Sequence, residues 1–141
     1  MAVLNPAPAI PLKPEELDGI YALTPNETEI KVMSGLQPNS QADVASLARS
    51  YSKWVKVVAV TLGEMGALVI SGGREKLVPA LRVKAVDTTG AGDAWNAVFS
   101  ALLAEGNDPF CCSTCVHSFH MNLLRFSWAQ GKVTGSPLRK S

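Results

Sequence analysis

The chain is short of the features that mark secreted, membrane-bound or nucleic-acid-binding proteins. It has only three cysteines in 141 residues, Cys111, Cys112 and Cys115. An odd, clustered set of this kind is not the disulfide framework of a secreted domain and fits a reducing compartment. Charge is sparse and balanced, 13 Lys and Arg against 12 Asp and Glu, for a net charge of +1. That excludes a basic surface for polyanions, so nucleic acid is not an expected partner. No apolar run reaches the roughly 20 residues that cross a bilayer, and the first residues lack a basic segment ahead of an apolar core. With 47% hydrophobic residues the composition is also too apolar for disorder. The expectation is one cytoplasmic globular domain with no membrane partner, long enough to bury a substantial core.

What is present alternates between two periodicities. Met1 to Ala9 reads as the end of a strand stopped by Pro6 and Pro8. Pro14 to Asp18 suits a short helix, and Ile20 to Leu23 a buried strand ended by Pro25. Glu27 to Met33 reads as a helix closed by Gly35, with Asn26 and Glu29 at capping-box spacing. Gln41 to Tyr51 places Val44, Leu47, Ala48 and Tyr51 on one helical face. Val57 to Thr61 has no polar alternation, as in a strand covered on both faces, while Lys53 and Lys56 read as solvated flanks. Ala67 to Ser71, the turn Gly72-Gly73 and Lys76 to Pro79 predict an antiparallel hairpin, followed by a short strand over Leu81 to Val86. Strands alternating with helices predict an α/β sandwich with a largely parallel sheet, whose ligands bind beyond the carboxyl ends of the strands.

The richest stretch is Val86-Asp87-Thr88-Thr89-Gly90-Ala91-Gly92-Asp93-Ala94. Gly90 and Gly92 allow a sharp turn in which main-chain N–H groups converge on an anion. Trp95, Val98, Phe99, Leu102 and Leu103 then recur at helical spacing, so a helix N-terminus points at the glycines. Asp93 stands where it can accept a proton from an attacking hydroxyl. The same residues also read as a turn with an N-cap Asp, Asp87 as a turn-forming Asx residue, and Asn26 with Glu29 as a cap alone.

The string Asp87 to Ala94 resembles the signature of the ribokinase-like (PfkB-type) sugar kinases, and the resemblance runs over about residues 3 to 106. Asn5-Pro6-Ala7-Pro8-Ala9 resembles a strand end of that family, and Thr24-Pro25-Asn26-Glu27-Thr28-Glu29 its Asn-x-x-Glu motif. The resemblance implies a three-layer α/β/α sandwich of ribokinase type, with the N-terminal half and its lid missing here. It implies transfer of the ATP γ-phosphoryl to a sugar hydroxymethyl group, ribose giving ribose 5-phosphate. Asp93 would be the base, with Gly90, Ala91 and Gly92 forming the anion hole. Asn26, Thr61, Gly63, Gly66 and Gly92 would contact ATP, Glu29 would help hold Mg²⁺ through water, and Asp87 and Thr89 would coordinate K⁺. The family's lid often mediates homodimers. Sugar-contacting groups sit mostly in the missing half, so a catalytically inactive nucleotide-binding fragment is the alternative.

Residues 107–141 diverge from the family. Cys112, Cys115, His117 and His120 are arranged Cys-x-x-Cys-x-His-x-x-His, the basis of a further alternative, a zinc-stabilised interaction module. The two pairs are too close together for an ordinary structural site, and packing cysteines on a helix over Phe110 to Trp128 explain them more simply.

Overall fold

The computed structural model describes residues 1–80 and 90–117. Five strands form one sheet in the order β1 (Val3–Leu4), β2 (Ala22–Leu23), β3 (Val57–Thr61), β4 (Ala67–Ser71) and β5 (Arg74–Val78). The first three are parallel, and β3, β4 and β5 pair antiparallel. The expectation of parallel strands therefore holds for β1 to β3. Between β3 and β4 only residues 62–66 intervene, far fewer than a parallel crossover needs, so the chain must fold straight back. β5 begins at Arg74, two residues before the predicted Lys76, because Gly72 and Gly73 both take positive φ and close the turn at once. β2 is shorter than Ile20 to Leu23, and Tyr21 is exposed. The strand expected over residues 81–86 lies outside the described residues, as do Asp87 and Thr89.

Alternate residues of each strand point to opposite faces, and both faces are covered. Leu23, Val58, Val60, Leu68 and Ile70 meet Ile30 and Met33 of α1 (Glu27–Met33) and Ala48 and Tyr51 of α2 (Val44–Tyr51). Ala22, Val57, Ala59, Ala67, Val69 and Val78 meet Trp95, Phe99 and Leu103 of α3 (Ala91–Ala104). Phe110, Cys112 and Val116 of a further helical stretch, 109–117, join the same cluster. The result is the expected α/β/α arrangement. α2 starts at Val44 because the Asp43 side chain accepts the Ala45 N–H at 3.0 Å and caps it, leaving Gln41 and Ala42 outside. Among the described residues, no helix is long and apolar enough to cross a membrane.

Candidate active site

The carboxyl edge of the parallel strands carries two of the residues singled out in the sequence. Asn26 and Thr61 lie there side by side, joined as an isolated parallel bridge, with the Thr61 N–H donating to the Pro25 carbonyl at 3.0 Å. The residue types at the end of β2 explain the placement. Pro25 stops the strand, and Asn26 turns the chain into α1 by accepting the Glu29 N–H at 2.7 Å, while the Glu29 carboxylate accepts the Asn26 N–H at 2.8 Å. The capping box read from spacing is thus formed in full. One Glu29 oxygen is engaged by Asn26, and the other is the donor available to a hydrated hard cation.

Gly63 and Gly66 bracket the turn after β3, in which the Gly66 N–H donates to the Gly63 carbonyl at 3.1 Å. Gly66 is buried with φ +107°, and a Cβ built on it meets the Ala80 nitrogen at 2.6 Å and the Pro79 carbonyl carbon at 2.8 Å. Close approach to its own chain accounts for this glycine. Gly63 is exposed, also at positive φ, with open space around it.

α3 is aimed at the same edge. Past its C-terminus, Asp108 pairs with Arg74 at 2.7 Å, and the Arg74 guanidinium lies 4.4 Å over the Phe110 ring. Arg74 starts β5 opposite Ser71, at the amino edge of the parallel strands. The 14 residues of α3 cover about 21 Å, enough to carry its first turn back across the sheet to the carboxyl edge. Gly90 serves as N-cap in the left-handed region, φ +77°, and among the described residues no side chain caps the helix. The N–H groups of Ala91, Gly92 and Asp93 open the helix, Gly92 and Asp93 are exposed, and a Cβ on Gly92 would meet nothing within 4 Å. Asp93 occupies the third helical position, as Glu29 does in α1. Two helices on opposite faces therefore begin at one edge, the first capped by Asn26 and the second with no side-chain cap among the described residues.

Asn96 is a residue that motif reading passes over. Its Nδ2 donates to the Gly92 carbonyl at 3.2 Å and so holds the first turn of α3 in shape. A polar Asn inside a helix is the available signal, since such residues favour caps unless they bond back along the helix.

The Cys/His arrangement is not drawn together. Cys112 is buried, and its thiol donates to the Asn107 carbonyl at 3.7 Å, whereas Cys115 is exposed. Burial pushes the Cys112 thiol up to about 11, away from the thiolate that metals require. His117 lies two residues beyond Cys115, about 200° round the helix, against the Trp95 ring at 6.3 Å. His120 lies outside the described residues. No group of three or more His, Cys, Asp or Glu among the described residues can hold a metal ion, and the zinc reading is not favoured.

Comparison with known proteins completes the placement. The profile of the pfkB family carbohydrate kinases matches residues 1–116. The chain belongs to that family. Ribokinase from Bacillus subtilis (strain 168) is 42% identical over 106 residues, 75% of this chain and 33% of that protein. Deoxyribokinase from Salmonella typhi is 40% identical over 112 residues, again 75% of this chain and 35% of that protein. The structure of Arabidopsis thaliana ribokinase complexed with ribose and ATP superposes with a TM-score of 0.72 at 27% identity, over 95% of this chain and 42% of that one. The chain thus spans about a third of the length of these family relatives.

Proposed function

We propose that this chain carries the nucleotide-binding and phosphoryl-transfer part of an ATP-dependent sugar kinase. The observation that carries the reading is the first turn of α3, without a side-chain cap among the described residues, at the same strand-end edge as Asn26 and Thr61. Unpaired N–H groups with the positive end of a helix dipole favour a phosphoryl group whose charge is developing. In this reading Asp93 takes the proton of the attacking sugar hydroxyl, and the N–H groups of Ala91, Gly92 and Asp93 hold the transferring oxygens. Asn26, Thr61, Gly63, Gly66 and Gly92 line the path of ATP. The hard-oxygen chemistry of Glu29 fits Mg²⁺, which when bound would neutralise phosphate charge. Asp87 and Thr89 are the proposed K⁺ ligands.

The acceptor is a pentose, with ribose giving ribose 5-phosphate as the primary reading. The nearly equal identities to a ribokinase and a deoxyribokinase make 2-deoxyribose the comparison to run beside it. The test pairs two measurements on the purified chain: ADP binding by calorimetry, and sugar-dependent ADP release with ATP, Mg²⁺ and K⁺. Asp93→Asn should abolish sugar phosphorylation and leave ADP binding within a few-fold. Unchanged phosphorylation in that variant, or no nucleotide binding by the parent chain, overturns the assignment.

A further inference from the structure

The cysteines left over from the kinase site are paired by the fold in a way their sequence spacing hides. Cys111 and Cys115 are both exposed, and they stand one turn apart on the outer face of the helical stretch 109–117, while Cys112 turns into the core. Residues four apart on a helix hold their Cβ atoms about 5–6 Å from each other. A disulfide needs roughly 3.5–4.5 Å, so direct S–S bonding would have to unwind the turn. That turn is held at its start, because the Asp108 carboxylate accepts the Phe110 N–H at 3.0 Å and the Cys111 N–H at 3.3 Å. One atom placed between the two sulfurs spans the gap without unwinding anything.

The identity of that atom follows from the number of donors. Zinc takes four ligands, and among the described residues no third His, Cys, Asp or Glu joins the pair. A trivalent arsenic atom already bonded to one carbon needs only two more donors, and soft thiolates are its preferred ones. The geometry points to Cys111 and Cys115 as a two-thiol chelating site for monosubstituted trivalent arsenicals. In the reaction an R–As=O group and two thiols give a cyclic R–As(S)₂ adduct and one water. Two As–S bonds form, two S–H bonds break, the arsenic oxygen leaves with both protons, and no atom changes oxidation state.

Phenylarsine oxide is the probe. The full chain should bind one equivalent, seen by native mass spectrometry, and release it to excess ethanedithiol. Cys111→Ser and Cys115→Ser, both at exposed positions, should each weaken binding by roughly a hundredfold or more, the gain expected from a tethered second donor. Cys112→Ala should bind as the parent does, with circular dichroism confirming its fold. Since Asp108 ties the start of this stretch to Arg74 at the amino edge, ADP binding should survive adduct formation. Parent-like affinity in either serine variant, or a complex of two chains per arsenic, overturns the site without touching the kinase assignment.

Discussion

Asn26 and Thr61 form a parallel bridge beyond the end of β2, so the turn into α1 and the last residue of β3 share one edge of the sheet. Asn26 has two separable duties there. Its side chain caps α1, and Asn26→Ala should cost about 1 kcal/mol in urea denaturation. Asn26→Asp keeps the cap and should restore that stability. If the same side chain faces phosphates, the added negative charge of Asn26→Asp should still weaken ADP binding in calorimetry. Parent-like affinity in Asn26→Asp would leave Asn26 with the capping duty alone.

Gly66 and Gly63 separate a steric requirement from a conformational one. Gly66→Ala should lose roughly 3 kcal/mol or more, because φ +107° is strained for an L-residue and the new methyl meets the backbone of residues 78–80. Gly63→Ala has open space and should lose only about 1–2 kcal/mol, for its φ of +57°. Urea midpoints of the two variants, measured side by side, check the order. Equal losses would show that the close approach to β5 relaxes at little cost.

Local chemistry made much of this fold legible. The bounds of α1 and the antiparallel turn at Gly72-Gly73 follow from caps and glycines within four residues, and the even burial of Val57 to Val60 follows from an unbroken apolar run. The antiparallel return of β4 went unread, although residues 62–66 leave no room for a crossover. What the sequence concealed was relational. Nothing in the spacing of Cys111, Cys112 and Cys115 says which one turns inward, because that depends on which side of the helix the sheet covers. In the same way nothing in the spacing of Gly66 shows that the end of β5 lies against it. The pairing of Asn26 with Thr61 needs a register spanning 35 positions of sequence, which periodicity does not supply.

The ion pair that ties the start of the 109–117 stretch to β5 should be visible in the pH dependence of stability. The hydrogen bond from Arg74, with help from the N–H groups of Cys111 and Phe110, holds the Asp108 carboxyl below its ordinary range. A carboxyl depressed in the folded state adds stability that is complete above the unfolded value, about 3.9, and is lost as pH falls through the lower folded value. The difference in urea midpoint between the parent and Asp108→Asn should therefore stay constant from about pH 7 to pH 5 and close below about pH 4. Because both side chains are largely exposed, concentrated salt should shrink it as well. A gap that persists unchanged at pH 3 would assign the effect to packing around Phe110 instead.

Gly92 offers the sharpest separation of fold from function. It lies inside α3 at a helical position, its φ is not positive, and an added methyl would touch nothing within 4 Å. Alanine is the better helix former, so Gly92→Ala should raise stability by up to about 1 kcal/mol, less if the first turn frays. Gly90 differs, because its φ of +77° makes Gly90→Ala destabilising by about 1–2 kcal/mol. Among the described residues, then, nothing in the fold requires a glycine at position 92. If a phosphoryl group is brought against the backbone N–H groups there, Gly92→Ala will melt higher and bind ADP or turn over sugar worse. A variant that is both more stable and fully competent would remove the backbone of α3 from the proposed chemistry.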